Sequence, residues 1–200
     1  VDGHGDLLAE DIFCLDDGPR ILDGLEPPLG AAAVGIGALL ADFDLVALQE
    51  VDGGSLRSGY VNQVEHLAQL GAFPYWYQQL NRNLGKLAQH SNGVLSRLKP
   101  WSLEDHPLPG PAGRGAILAR FGEGPDALVV VMMHLALGTK TRTRQLAYIR
   151  ELIGGYRHQI LMGDMNTHAN DLLQTSPLRD LGLLAAGERK ATDLELVLHF

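Results

Sequence analysis

Three apolar, strand-like segments follow one another in the middle of the chain with no helix between them. They are "NGVLSRL" (92–98), "GAILARF" (115–121) and "ALVVVMMHL" (127–135), and their linkers are rich in glycine and proline, including "PLPGPAGRG". Parallel neighbours need a long crossover, usually a helix, whereas short loops join antiparallel neighbours. The pattern therefore excludes a purely parallel, doubly wound sheet and favours layered sheets with helices outside.

The rest of the chain alternates between strand and helix patterns. Strands are predicted at 43–49, 158–164 and 194–200, with an extended segment at 74–80, and helices are predicted at 31–41, 60–71, 139–155 and near 169–173. The clearest helix, 139–155, has Thr139 as a predicted cap, an apolar face and two glycines at its end. No linker is long enough to mark a second domain, so we expect one domain over residues 1–200.

Composition narrows the class of function. The chain has 200 residues, of which 46% are hydrophobic, and a formal charge of −8. That charge disfavours tight binding to a long polyanion unless basic patches or divalent cations offset it. Cys14 is the only cysteine and no apolar run approaches the roughly 20 residues of a membrane span.

The same features predict a cytoplasmic protein without a stable protein partner. No signal-peptide pattern is visible. The first residue is Val1 rather than Met, which leaves open that a leader or an earlier segment was removed.

Polar, chemistry-bearing side chains stand at the ends of apolar strands. Asp164 and Asn166 follow "ILMG", Glu50 ends "LVALQ", and His134 ends "VVVMM". Each has an ordinary explanation: a turn, a solvated acid or a satisfied core histidine. Strand ends are also rigid places to hold a ligand for a hard cation such as Mg²⁺, which takes one or two carboxylates and keeps positions for water and phosphate oxygens.

Two further candidates stand at the start of an element. Asn92 begins a strand, where a turn-forming role is equally probable on chemical grounds. Arg142 and Arg144 begin the long helix, where cations gain nothing from the helix dipole and are usually solvated. Arg144 is the predicted substrate-binding member of this pair.

Four motifs in order carry a resemblance to a known family. "LQEVD", "SNGVLSR", "MHL" with "RTRQ", and "GDMN" together resemble the endonuclease/exonuclease/phosphatase superfamily, the deoxyribonuclease-I-like hydrolases, and most of all its small bacterial metal-dependent hydrolases. The resemblance covers about residues 40–185. It implies a four-layer α/β sandwich, with two packed mixed sheets flanked by helices, and a site where strand ends of both sheets meet.

The resemblance also implies roles for the strand-end residues. Glu50 matches the glutamate that binds Mg²⁺ or Mn²⁺, and Asp164 matches the acid that orients or deprotonates the attacking water. Asn166 and His134 match donors to the phosphate, and Asn92 matches an asparagine of the substrate pocket. The implied activity is hydrolysis of a phosphoester in a nucleic acid, a lipid headgroup or a small molecule.

The N-terminal part of the chain departs from the family pattern. Family members begin with a strand that ends in a metal-site asparagine, and no such motif is present. Asp2 of "VDGH" and Asp16 or Asp17 of "DIFCLDD" are alternative counterparts, because an aspartate can also bind Mg²⁺. We prefer the second stretch, with Asp16 as the metal ligand, because a strand pattern leads into it.

The C-terminal part departs further. The family ends in "SDH" followed by a strand, whereas here "TDLELVLHF" keeps Asp193 as a catalytic candidate but has Leu194 in the position of the histidine. Leucine cannot exchange protons or donate to phosphate. His168 or His199 could substitute, and the short interval after "GDMN" could mean that edge elements are missing. The alternative hypothesis is therefore a catalytically impaired member that acts as a binding module.

Overall fold

The computed structural model describes residues 39–40 and 42–185 in full and the backbone of the strands at 12–15 and 197–199. The strands are β1 Ile12–Leu15, β2 Leu45–Asp52, β3 Tyr75–Asn83, β4 Gln89–Ser96, β5 Ser102–Pro107, β6 Gly115–Phe121, β7 Leu128–His134, β8 His158–Asp164, β9 Leu184–Ala185 and β10 Val197–His199. The α-helices with defined bounds are α1 Gln63–Leu70, α2 Thr139–Ile153 and α3 Ala169–Thr175. Short 3₁₀ helices span Leu56–Ser58 and Arg179–Leu181.

The strands form two mixed sheets. The first has the order β1-β2-β4-β3 and the second the order β5-β6-β7-β8-β10-β9. Strands β5, β6 and β7 are antiparallel neighbours, and the β6–β7 pair is the one that the short glycine-rich linker predicts. The strand predicted at 92–98 lies in the first sheet, as β4. Strand β7 pairs in parallel with β8 across the helical crossover α2. None of the described helices is long and apolar enough to cross a membrane.

The side chains of each sheet alternate between two apolar layers. On β2, Leu45 and Ala47 pack against Val130 and Met132 of the second sheet, whereas Val46 and Leu48 pack against α1. The outer face of the second sheet packs against the apolar face of α2, where Ile149 is fully buried. The architecture is therefore helix, sheet, sheet, helix, and the predicted four-layer α/β sandwich is confirmed.

The structure differs from the sequence predictions at Thr139 and at strand β5. The predicted capping role of Thr139 is wrong, because Gly138 is the N-cap of α2 and contributes no side chain. Strand β5 was not predicted, since its "SLEDHP" sequence alternates poorly and lies exposed at the sheet edge. Most of the helix predicted at 31–41 lies outside the described residues, of which Leu39 and Leu40 are helical.

Candidate active site

The parallel register of β7 and β8 places His134 directly beside Asp164. These two residues are Cα partners at the carboxyl ends of neighbouring strands. The side-chain distance is 3.2 Å from His134 Nε2 to Asp164 Oδ2. Because the pairing continues through the backbone bond from Leu135 N–H to the Asp164 carbonyl at 2.9 Å, the two side chains are held by the sheet itself.

The chain turns sharply around Asp164 with the help of two residues in left-handed conformations. Gly163 has φ of +117°, and Asn166 has φ of +50°, a region that asparagine tolerates better than most residues. The Asn166 backbone N–H donates to Asp164 Oδ1 at 2.8 Å, which is an Asx turn. The Asn166 amide donates to Asp164 Oδ2 at 3.1 Å and to the Leu135 carbonyl at 2.8 Å.

These contacts keep Asp164 ionised. Burial of the carboxyl raises its pKa, but the hydrogen bonds from His134 and from the Asn166 backbone N–H, with the charges of His134 and Arg114, lower it by more. The pKa of Asp164 therefore lies below its ordinary value. An acid of this kind is a carboxylate at neutral pH and a weak proton acceptor.

Arg114 makes the second strong contact of His134. The guanidinium Nη1 lies 2.9 Å from Nδ1 and 2.5 Å from Nε2 of the ring. An arginine nitrogen only donates, so the ring nitrogen it serves must be unprotonated. Nη1 lies closer to Nε2, the nitrogen that also faces Asp164, so the position of the ring proton depends on whether Asp164 or Arg114 is the partner of Nε2.

Glu50 joins this group from the opposite sheet. Its Oε1 lies 3.8 Å from His134 Nε2 and 4.0 Å from Arg114 Nη1, and its side chain is 44% exposed. Glu50 has φ of +55° and lies in a register shift, where Gln49 and Glu50 together oppose one residue of β4, Asn92. Such a bulge redirects a side chain, and here Glu50 is exposed within an otherwise buried strand.

Asn92 lies beneath this bulge in a polar network between the sheets. Its amide donates to Gln79 Oε1 at 3.1 Å, and Gln79 Nε2 in turn donates to Asp105 and to the Ala116 carbonyl of the second sheet. Asn92 is 1% exposed and its Oδ1 has no hydrogen-bond partner within the described part of the chain. The amide orientation is thus set by Gln79, and one acceptor is left free.

A cleft of about 490 Å³ opens over these residues. Glu50, Asn92, Arg114 and His134 line it, and further lining residues come from the β3–β4 hairpin and from the loops before β6 and α2: Asn81, Arg82, His90, Ser91, Pro111, Ala112, Gly113, Ala136, Leu137, Gly138 and Thr141. Asp164 and Asn166 are not among the lining residues and lie behind His134. The cleft combines two arginines and two histidines with one carboxylate, a combination suited to an anion bridged by a cation.

Not all predicted site residues reach this cleft. Arg144 is exposed on α2 and does not line it, and His168 is exposed at the start of α3. Asp16, Asp193 and the rival positions Asp2, Asp17 and Leu194 lie outside the described residues. Glu50, His134 and Asn92 line the cleft, and Asp164 and Asn166 lie next to His134, with the Asn166 amide donating to Asp164 and to the Leu135 carbonyl.

Sequence reasoning missed Arg114 and Gln79. Arg114 is the last residue before β6, in the "GPAGRG" linker, and an arginine flanked by glycines beside a strand was the available signal. Gln79 is the one buried residue of the extended segment 74–80, which only the packing of the second sheet reveals.

The comparisons with known proteins agree on the fold. A sequence profile described as "Endonuclease/Exonuclease/phosphatase family" matches residues 23–193. An endonuclease/exonuclease/phosphatase family protein from Leptotrichia buccalis superimposes with a TM-score of 0.67 at 15% identity, covering 94% of this chain and 86% of that one. A search of curated proteins finds no significant match.

Two further solved structures share the fold at low identity. D. rerio TDP2, in complex with a single-stranded DNA product, matches with a TM-score of 0.60 at 16% identity, over 94% of this chain and 82% of that one. Sphingomyelinase C from Streptomyces griseocarneus matches with a TM-score of 0.57 at 16% identity, over the same shares. The profile match spans most of the chain and the four-layer fold agrees with it, so this protein belongs to the endonuclease/exonuclease/phosphatase family.

Proposed function

We propose that the protein is a metal-dependent hydrolase of phosphoesters. The observation that carries the proposal is the convergence of Glu50, His134 and Arg114 from both sheets at one cleft, with Asp164 in contact with His134 behind it. Phosphoester cleavage needs an oriented nucleophile and donors aimed at the phosphoryl oxygens, and such preorganised electrostatics supply most of the rate. The family to which the chain belongs acts on phosphoesters, which supports the same reaction class.

The contacts suggest how these residues divide the work. Arg114 lines the cleft and can donate to two phosphoryl oxygens in the planar geometry that arginine favours. His134 is held between Arg114 and Asp164, and it can donate a hydrogen bond to the phosphate through a protonated ring nitrogen that has left Asp164. Asp164, with its lowered pKa, is better suited to orient His134 and the attacking water than to remove a proton.

The residues around Glu50 fit a hard divalent cation. Glu50 offers an exposed carboxylate at the cleft, which matches the preference of Mg²⁺ and Mn²⁺ for one or two carboxylates with water and phosphate oxygens completing the shell. Asn92 lines the same cleft, and its buried Oδ1 has no hydrogen-bond partner within the described residues. Unpaired buried oxygens are what a hydrated cation can satisfy.

Glu50 would therefore hold the cation, with Asp16 as the second ligand proposed from the sequence. The described residues contain no group of three histidine, cysteine or acidic side chains that could form a closed metal site. A cation held by so few protein ligands supplies charge neutralisation to a bound phosphate. It would be loaded with the substrate rather than buried as a structural ion.

The proposal is tested by a substrate panel with and without Mg²⁺ or Mn²⁺. The panel contains bis-p-nitrophenyl phosphate, p-nitrophenyl phosphate, an oligonucleotide and phospholipid headgroup esters. Glu50→Gln is expected to raise the metal concentration that gives half-maximal rate, whereas Glu151→Gln, an exposed acid on α2, is expected to leave it unchanged. Absence of metal-dependent turnover on every substrate, with phosphate still bound, would support the binding-module alternative that Leu194 motivates.

A further inference from the structure

An apolar, basic projection stands beside the mouth of the cleft. It is formed by the tip of the β3–β4 hairpin and the adjoining 3₁₀ helix, and the Leu56 N–H donates to the Lys86 carbonyl at 2.8 Å. Leu56, Leu84 and Leu87 are 56%, 47% and 69% exposed. The same hairpin contributes Asn81, Arg82, His90 and Ser91 to the cleft. The leucines therefore lie next to the site but outside it.

Basic side chains accompany these leucines. Arg57 and Lys86 are exposed in the same two turns, and neither is within 4.0 Å of a carboxylate among the residues described. The whole chain carries a formal charge of −8. Positive charge at this place is thus a local feature, opposite in sign to the average surface.

The loop before α2, which also lines the cleft, repeats the combination of exposed leucine and basic side chains. Leu137 is 76% exposed and lines the cleft. It is followed at once by α2, whose exposed Lys140 and Arg144 make no ion pair in the described structure. We call these two regions beside the cleft together the rim: Leu56, Arg57, Leu84, Lys86 and Leu87 in one, with Leu137, Lys140 and Arg144 in the other.

We propose that the rim docks on the surface of an anionic phospholipid membrane and presents a headgroup phosphoester to the cleft. Exposed aliphatic side chains on a projecting hairpin can enter the headgroup region, while lysines and arginines are attracted to anionic lipid. A nucleic acid is a poorer match, because leucine offers no flat face on which bases stack. The headgroup as substrate rests on the proposed hydrolase function, whereas the docking is independent of it.

Vesicle flotation tests the docking without any turnover. Vesicles of phosphatidylcholine, alone or mixed with phosphatidylglycerol, are incubated with the full chain. We expect binding to the mixed vesicles that weakens with salt, and a loss of about fivefold in affinity for each neutralised charge in Arg57→Gln and Lys86→Gln. The double variant Leu84→Ser with Leu87→Ser should lose binding by about tenfold or more. Leu184→Ser, equally exposed on β9, should retain it.

A second readout separates docking from catalysis. The double variant Leu84→Ser with Leu87→Ser should hydrolyse soluble bis-p-nitrophenyl phosphate at the wild-type rate. An unchanged rate also shows that this variant folds. Vesicle binding without turnover of any substrate would support docking and would contradict only the hydrolase proposal. The docking proposal is overturned if the wild type does not bind anionic vesicles, or if Leu184→Ser loses as much binding as the rim variant. It is also overturned if single-stranded DNA binds through Arg57 and Lys86 while vesicles do not bind.

Discussion

Replacing Gly163 by alanine tests whether the strand end that carries Asp164 is built as the structure shows. A Cβ added at Gly163 would lie 2.1 Å from the Met133 carbonyl oxygen and 3.0 Å from its backbone nitrogen. These atoms belong to the neighbouring strand β7, so neither can retreat without breaking the β7–β8 pairing. Gly163→Ala should therefore disturb the same register that pairs His134 with Asp164.

The expected cost has two parts. The backbone at φ of +117° lies outside the regions open to residues with a Cβ and costs about 1–3 kcal/mol. The clash with backbone adds the loss of local pairing, of order 1–3 kcal/mol as for other overpacked sites. Together these approach about 2–6 kcal/mol, a large share of the roughly 5–15 kcal/mol that stabilises a typical domain.

Denaturant unfolding followed by circular dichroism measures this change. Gly124→Ala is the matched control, because Gly124 also has positive φ, at +73°, but an added Cβ would meet nothing within 4 Å. The control should show the smaller backbone cost of a left-handed glycine, so the excess destabilisation in Gly163→Ala reports the clash together with the less favourable φ at Gly163. Equal destabilisation by both variants would refute the close approach of β8 to Met133.

Three more outcomes follow from the site and its supports. Burial raises the pKa of Asp52, but hydrogen bonds from Gly54, Ser55 and Ser58 to its carboxylate lower the pKa by more. The ionised carboxylate therefore stabilises the fold above its unfolded pKa, and this stabilisation is lost as pH falls toward the folded pKa. Asp52→Asn should flatten the acid side of the stability profile, measured by thermal melts from neutral to acid pH. Gln79→Leu should raise KM more than it lowers kcat, because it frees the Asn92 amide without removing it. Arg114→Lys should cut kcat/KM by about tenfold or more in steady-state assays, because lysine cannot donate in two parallel bonds.

Each of these outcomes has a control. Asp126→Asn alters an exposed carboxylate paired with Arg157 and should leave the acid limb of the stability profile unchanged; an identical change in both variants would contradict the role of Asp52. A fall in kcat with unchanged KM in Gln79→Leu would show that Gln79 acts on the chemistry rather than on substrate positioning. Full activity of Arg114→Lys would mean that the guanidinium contacts no substrate oxygen.

Much of the fold follows from local patterns. The β6 segment 115–121 and the β8 segment 158–164 were predicted at their observed bounds because apolar runs end at glycines, turns or charged residues. Strand β5 escaped prediction because its stability comes from pairing with β6 and not from its own residues. The prediction that Thr139 caps α2 was wrong because a glycine, here Gly138, can also occupy the N-cap position.

The site was predictable as far as it lies at strand ends. Glu50, His134 and Asp164 each end an apolar run, and parallel or bulged pairing then brings them together. Arg114 was not predictable in this way, since its place depends on how the loop before β6 folds over β7. Arg144 was predicted as a site residue, because its motif resembles that of the family, but it does not reach the cleft. Its position on α2 places it at the rim.

The most direct test of the hydrolase proposal compares the initial rate of bis-p-nitrophenyl phosphate hydrolysis by the wild type and by Asp164→Asn, at saturating Mn²⁺. Asparagine keeps the shape of the side chain but removes the charge that holds the His134 ring and the attacking water, so the rate should fall by about 10²–10⁴-fold. The control variant Asp126→Asn should hydrolyse the substrate at the wild-type rate. Equal rates for wild type and Asp164→Asn, or a rate that chelation of the metal leaves unchanged, would contradict the account.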